Sequence, residues 1–430
     1  MKEVMQKASN LRRDKRYKEA IDLLENIYKD NWEQMDEWSA WSYAYSLRQE
    51  KDYNKAIEVC EKSLDRWPAF IQFNNVYSWS LHYEFLVNNS ELNIEKKREC
   101  VDKILHYSTF DKFSPRTKSV LTLVKLLKEG QMYAEMLCYL EKLKIKSLSD
   151  ENYKYKSRDG KTITLSSELE LYYNYLTEAL LKTEEYQSCI DESTRALATI
   201  KSFQNNNDFW LSRRMAKSYQ ELGNIAEARK IYEELIAKKK DWFLFAELAQ
   251  ILYDSKLIEE SLKYALTGAK EFGEIEKKVN LIELLGMILE KLGKKEESEW
   301  HYYLTYKIRQ KEGWKTSDWL ENKIAAIERG KVIEIEYKEL VKIVRKIWNT
   351  LLDEIEPKIE GRITSLLPNG RNGFISAANG KSYYFNGRHM IDKKAVISIG
   401  LPVLFRIRDS YDAKKKQVSK EAISIEINKA

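Results

Sequence analysis

The chain has 430 residues, of which 73 are basic and 67 acidic, for a net charge of +6. With 33% charged residues and a mean hydropathy of -0.58, it has no apolar run near the ~20 residues that a membrane-spanning helix needs. The length exceeds one compact core, so several domains or one extended array are expected.

The N-terminus, Met1-Lys-Glu-Val-Met-Gln-Lys, carries no apolar stretch of signal-peptide type, and a cytoplasmic address is expected. Cys60, Cys100, Cys138 and Cys189 lie far apart without C-x-x-C spacing, which favours reduced core residues over disulfides or metal ligands. Gly (15) and Pro (5) are scarce, and only Pro68 and Pro115 precede Pro357. So few breakers favour long helical stretches.

One local pattern recurs through that region: a large apolar residue, two polar residues, then a small one. It stands at Tyr17-Lys-Glu-Ala20, Tyr53-Asn-Lys-Ala56, Tyr186-Gln-Ser-Cys189, Ile225-Ala-Glu-Ala228 and Ile258-Glu-Glu-Ser261. The small residues are 36 apart in the first pair and 33 apart in the last, a period that marks stacked helix–turn–helix units. From Glu37 to Pro68, Trp41, Ala44 and Leu47 fall on one helical face, and Ala56, Cys60 and Ser63 on another. Small residues at Ala44 and Ala56 allow the two helices to approach closely.

This arrangement resembles the tetratricopeptide repeat, which places small residues at the eighth and twentieth positions and a proline near the end. Ala216, Tyr219, Gly223, Ala228 and Tyr232 follow that pattern well, and Gly286, Leu289, Gly293 and Ser298 follow it moderately. Between Phe70 and Leu148 the spacing stretches, and 88–91 and 111–115 read as loops. Residues 150–166 are polar, contain the turn signal Asp159-Gly160, and read as an insertion. About eight helical hairpins are expected in residues 1–310, with a protein partner on their surface. The 11 Trp and 27 Tyr are read mostly as packing residues.

Residues 311–357 are expected to connect. Val341, Val344, Ile347, Trp348 and Leu351 recur at three- and four-residue steps in a helix over 334–355, whose apolar stripe should dock on the last repeat. Pro357 marks the next boundary.

Residues 358–430 change character. Here 14 basic residues face 6 acidic ones, a net of +8, whereas the preceding 357 residues carry a net of −2. A basic cap on a near-neutral array points to a polyanion, although Lys414-Lys415-Lys416 reads equally well as a solvated hairpin tip. Five strands are expected: 359–366, 373–377, 381–386 after an Asn379-Gly380 turn, 403–409 and 421–427. Five is the strand number of an OB barrel. The predicted fold is therefore mainly α: a tetratricopeptide-like solenoid followed by a small five-stranded barrel.

These residues resemble the cold-shock domain, with the S1-type barrel a close relative in architecture. Gly361-Arg-Ile363, Gly373-Phe374-Ile375, Tyr384-Phe385-Asn386, Gly400-Leu-Pro-Val403-Leu-Phe405 and Ala422-Ile-Ser-Ile425 carry the resemblance. The family's first-strand Trp-Phe is replaced by Ser365-Leu366, its earlier Phe by Asn372 and its histidine by Asn386, which leaves about two platform rings. Such barrels joined to repeat arrays also resemble components of bacterial anti-phage conflict systems. The resemblance implies binding of RNA or single-stranded DNA.

Strand alternation sorts the side chains: with Ile375 and Phe385 inward, Phe374, Tyr384 and Asn386 point outward. Exposed rings on neighbouring strands suit unpaired bases. Arg371, Lys381, Arg388 and His389 lie at the strand ends where phosphates would run, and Asn372 and Asn386 are candidates for base edges.

No enzyme signature is present. His82, His106, His301 and His389 lack ligand spacing, and the chain holds no G-x-x-x-x-G-K-[ST], G-x-G-x-x-G after a strand or G-x-S-x-G. No metal, cofactor or catalytic residue is expected, and the chain reads as a non-catalytic adaptor.

Overall fold

The computed structural model describes residues 2–29, 31–330, 335–392, 395–412 and 417–428. Sixteen helices follow in pairs: α1 (Lys2–Arg13) with α2 (Tyr17–Tyr28), α3 (Glu37–Gln49) with α4 (Tyr53–Arg66), α5 (Gln72–Leu81) with α6 (Ile94–Tyr107), and α7 (Pro115–Glu129) with α8 (Tyr133–Leu140). Then come α9 (Glu168–Lys182) with α10 (Tyr186–Thr199), α11 (Asn207–Glu221) with α12 (Ile225–Lys238), α13 (Trp242–Asp254) with α14 (Ile258–Lys270), and α15 (Val279–Lys291) with α16 (Lys295–Glu312). About eight hairpins are expected, and seven of these pairs pack within a single unit: all but α11 with α12. The chain divides into two compact units, Met1–Ser218 and Tyr219–Ala430, each described by itself.

In the first unit the α3–α4 pair displays the packing rule. Ala44, Ala56 and Cys60 have no exposed surface and Ser63 almost none, so the helices meet through small side chains. Asp36 caps α3 by accepting hydrogen bonds from the Trp38 and Ser39 amides at 3.1 and 3.0 Å, and α4 closes just before Pro68. Where the repeat pattern fades, α5 runs into a π-helix over His82–Asn88, which the sequence reading did not foresee. Pro115 then starts α7 at the first helical position, behind a Ser114 cap. The polar insertion is a hairpin, β1 (Lys154–Lys156) paired with β2 (Thr162–Thr164), turning at Gly160. Of the four cysteines, Cys60, Cys100 and Cys189 are buried and free. Cys138 corrects the expectation: it is exposed, because α8 buries Met136, Tyr139 and Leu140.

In the second unit Gly286 of α15 faces the Tyr302 ring of α16, and a Cβ there would sit 2.6 Å from the ring. Only glycine allows that approach. Two further helices follow, α17 (Asp318–Gly330) and α18 (Tyr337–Ile355). Glu334, the expected start of the connecting helix, lies outside the described residues. Of the expected stripe, Val344, Trp348 and Leu351 of α18 are buried, with Leu340 and Leu352 beside them, in one core with residues of α14, α15 and α16, while Val341 and Ile347 are half-buried against it. The Trp348 indole N–H donates to His301 Nε2 at 2.8 Å inside that core.

Five strands close a barrel: β3 (Ile359–Leu366), β4 (Gly373–Ala377), β5 (Ser382–Phe385), β6 (Pro402–Asp412) and β7 (Gln417–Ile427). Their order is β3-β4-β5-β7-β6, with β5 and β7 parallel and the other pairs antiparallel, as in an OB-like barrel. The first two strands match the expected bounds. The third is one residue shorter at each end, and the last two extend each other as a long hairpin. Lys414, Lys415 and Lys416 lie outside the described residues. Ile363, Ile375, Phe385, Val403, Phe405, Ala422 and Ile425 fill the barrel's own core.

A charged seam fastens the barrel to its neighbouring helices within this unit. A bulge at Leu404–Arg406 lets consecutive residues be buried: Phe405 enters the core, while Arg406 donates to the Glu356 carbonyl at 2.6 Å and pairs with Asp353. Arg408 bonds Glu271, which follows α14, at 2.6 Å and Glu421 at 2.9 Å. Lys240, between α12 and α13, reaches Glu421 at 2.6 Å.

Candidate nucleic-acid interface

Cross-strand register brings the two candidate rings together. Phe374 on β4 lies opposite Tyr384 on β5, and their rings meet edge to face with centroids 5.9 Å apart. Ile375 and Phe385 are fully buried, so alternation turns the other parity outward as expected. Phe374 is 38% exposed and Tyr384 half-buried. The next row of the same face holds Arg362, Ser376 and Ser382, which are register partners across β3, β4 and β5. Arg362 is exposed and donates to the Gly400 carbonyl at 3.3 Å. The sequence reading missed this residue, yet the parity set by Ile363 was enough to find it.

Gly373 allows the rings this position. A Cβ there would collide with the Ser365 carbonyl oxygen and approach the Phe385 ring. Gly373→Ala is therefore expected to break the β3–β4 pairing beside Phe374, at a cost of about 1–3 kcal/mol or more. Faster tryptic cleavage of the barrel in the full chain would register it.

The cations divide into two sets. Arg371 and Lys381 are exposed immediately before β4 and β5, and side chains fix their backbone. Asn369 Oδ1 accepts from the Arg371 and Asn372 amides at 3.1 and 3.0 Å, and Asn379 Oδ1 accepts from the Lys381 amide at 3.0 Å. Arg388 and His389 belong elsewhere. His389 Nδ1 lies 3.3 Å from the Ala422 carbonyl of β7, and its Nε2 accepts from Arg388 Nε at 3.2 Å. Burial, then the Arg408 charge, lowers the His389 pKa beside the charged seam.

The two amides have structural duties for their oxygens. Asn372 Oδ1 accepts from the Gly387 amide at 3.2 Å and Asn386 Oδ1 from the Arg388 amide at 3.0 Å. These bonds fix both side chains and leave their NH2 groups as donors.

The seam also consumes charge that the sequence assigned to the polyanion. Arg406 pairs with Asp353, Arg408 with Glu271 and Glu421, and Lys358 with Glu426 at 2.8 Å. Among the described residues no group of three or more His, Cys, Asp or Glu converges as metal ligands do, and no helix is long and apolar enough to cross a membrane.

The sequence profile of the Tetratricopeptide repeat family matches residues 213–238. No match is found among curated proteins. Among solved structures, the human IFIT1 dimer with PPP-AAAA is similar at 14% identity and TM-score 0.38, over 79% of this chain and 76% of that one. MamA from AMB-1 is similar at 11% identity and TM-score 0.33, over 45% of this chain and 97% of its own. The chain carries a tetratricopeptide-like helical array, with a Tetratricopeptide repeat match inside it, followed by an OB-like five-stranded barrel.

Proposed function

We propose that this protein is a non-catalytic cytoplasmic adaptor whose repeats, residues 1–310, hold a protein partner while the barrel, residues 358–430, binds RNA or single-stranded DNA. Residues 311–357 join the two functions. One observation carries the reading: Phe374 and Tyr384 form an outward pair on adjacent strands, and exposed Arg362, Arg371 and Lys381 belong to the same three strands or their leading turns. Bases stack on such rings while cations track the backbone. Asn372 and Asn386 offer donors to base edges, and Arg388 and His389 border the surface from the β7 side.

Salt dependence tests the electrostatic half of this reading. Binding of a single-stranded oligonucleotide to the full chain should weaken as salt rises, and Arg371→Ala/Lys381→Ala should lower the slope of log affinity against log salt by roughly 1.4. An unchanged slope in the variant removes these residues from the phosphate path.

A second reading has its own support. Ile391, Val396 and Ile399, 54%, 80% and 65% exposed, lie on the connection between β5 and β6. Such apolar exposure suits a protein neighbour, as in a regulatory subunit of a bacterial anti-phage complex. A partner that survives nuclease treatment and is lost on Val396→Asp/Ile399→Asp would favour it.

A further inference from the structure

A second aromatic and cationic cleft lies in the first unit, far in sequence from the barrel. It measures about 420 Å³ and is lined by Arg48, Gln49, Lys51, Tyr53, Trp79 and Tyr83. Tyr53 and Tyr83 stack with centroids 5.3 Å apart and planes 19° apart; Trp79 and Tyr83 stack at 5.7 Å and 24°. Tyr53 is a framework residue, since it holds the same place in its repeat as Tyr17 and Tyr186. Trp79 and Tyr83 are additions to that framework, and Tyr83 is presented by the π-helix that interrupts the array. π-Segments within helices occur frequently at functional sites.

The lining charges have one sign. Arg48 rests over the Tyr45 ring at 4.8 Å, and Lys51 stands in a left-handed turn with φ 68°. Two acids stand beside the cleft with partners of their own: Asp52 accepts from the Lys55 amide at 3.2 Å and Glu84 from Asn54 Nδ2 at 3.1 Å. A purely aliphatic ligand would leave the lining charges unused. Flat rings beside two cations and an amide suit a planar heterocycle joined to a negative group.

We propose that this cleft binds a nucleoside phosphate, with the base against Tyr83 and Trp79, the phosphate on Arg48 and Lys51, and Gln49 at the base edge. The chemistry is shared by a free nucleotide and by the phosphorylated end of a strand. It is independent of the barrel, so the test uses the full chain carrying Phe374→Ala/Tyr384→Ala. Calorimetric titration would compare ATP, pyrophosphate, and an adenosine hexanucleotide with and without a 5′ phosphate. Tyr83→Ala should weaken ATP binding by about five- to a hundredfold, Tyr83→Phe should retain it, and Arg48→Ala should weaken it. Binding of ATP alone identifies the free nucleotide; a preference for the 5′-phosphorylated strand identifies a strand end. No binding at millimolar nucleotide, equal affinity in Tyr83→Ala, or pyrophosphate as tight as ATP would each overturn the proposal. None of these results bears on the barrel.

Discussion

Replacing Glu421 by alanine is expected to destabilise the unit that contains the barrel by about 3–5 kcal/mol, because it leaves largely buried Lys240 without its carboxylate and takes from Arg408 one of its two. Lys240 and Arg408 both bond the same Glu421 oxygen, at 2.6 and 2.9 Å, and their side chains are each 17% exposed. Burial works to raise both carboxyl pKa values in this seam. At Glu421 the hydrogen bond and charge of Lys240, with Arg408, outweigh burial and hold the pKa below the ordinary range. At Glu271 burial prevails over Arg408 and Lys240, and the pKa is raised. Glu421 is therefore the better anchor of the two. Lys420, whose pair with Asp409 is 3.8 Å long and well exposed, provides the contrast. Lys420→Ala should change stability by less than about 1 kcal/mol. Amide hydrogen exchange along β6 and β7 of the full chain is the suitable readout, since a chain of two units need not unfold in one step. Equal exchange in the two variants would mean that the seam contributes no stability.

Acidification from pH 7 towards pH 4 should cost each unit on the order of 3 kcal/mol through one buried histidine. In the second unit His301 is wholly buried, accepts from the Trp348 indole through Nε2 and places Nδ1 2.6 Å from the Glu297 carbonyl. Burial pushes its pKa down to about 4. In the first unit His82, against the Ser119 hydroxyl at 2.9 Å, is likewise pushed to about 4, by burial and then by the Lys118 charge. An unfolded imidazole takes up its proton near pH 6.5, well before either folded site does. Between pH 6.5 and 4 the unfolded chain thus binds more protons, and stability falls as pH falls. Below about pH 4 both states are protonated and this contribution levels off. Unfolding free energy measured across that window should show the slope, and His301→Gln should remove about one proton of it in the second unit. A slope unaltered by the substitution would refute the assignment.

The parts of this fold that were legible in the sequence rest on local repetition. Ala44, Ala56, Ala228 and Gly286 announce close helix contacts, and small residues at regular spacing mark the hairpins outside 70–148, where the spacing stretches. The barrel was legible because alternation about Ile375 and Phe385 fixes which rings face out. The seam was illegible for a physical reason. Lys240 and Glu421 are 181 residues apart, and Arg408 and Glu271 are 137 apart, so no window of sequence contains both partners. In the sequence Arg406 and Arg408 look like Arg371 and Lys381; only the folded chain shows that the first two are spent on carboxylates. His389 reads as a phosphate-facing cation because it sits at a strand end; its burial against β7, which lowers its pKa, has no signal in the sequence. The π-helix at His82–Asn88 lies where the repeat spacing stretches, and that stretching alone does not tell a π-helix from a loop.

The barrel's role turns on two rings, and removing them is the most direct test. Fluorescence anisotropy of a labelled single-stranded RNA, and of the matching DNA, should report binding to the full chain at low salt. Phe374→Ala/Tyr384→Ala should weaken it by tens- to thousandsfold, at ~1–3 kcal/mol per stacked base, while thermal stability is largely kept. An intact chain that binds neither strand at low salt, or a double variant that binds as tightly as the original, would contradict the account.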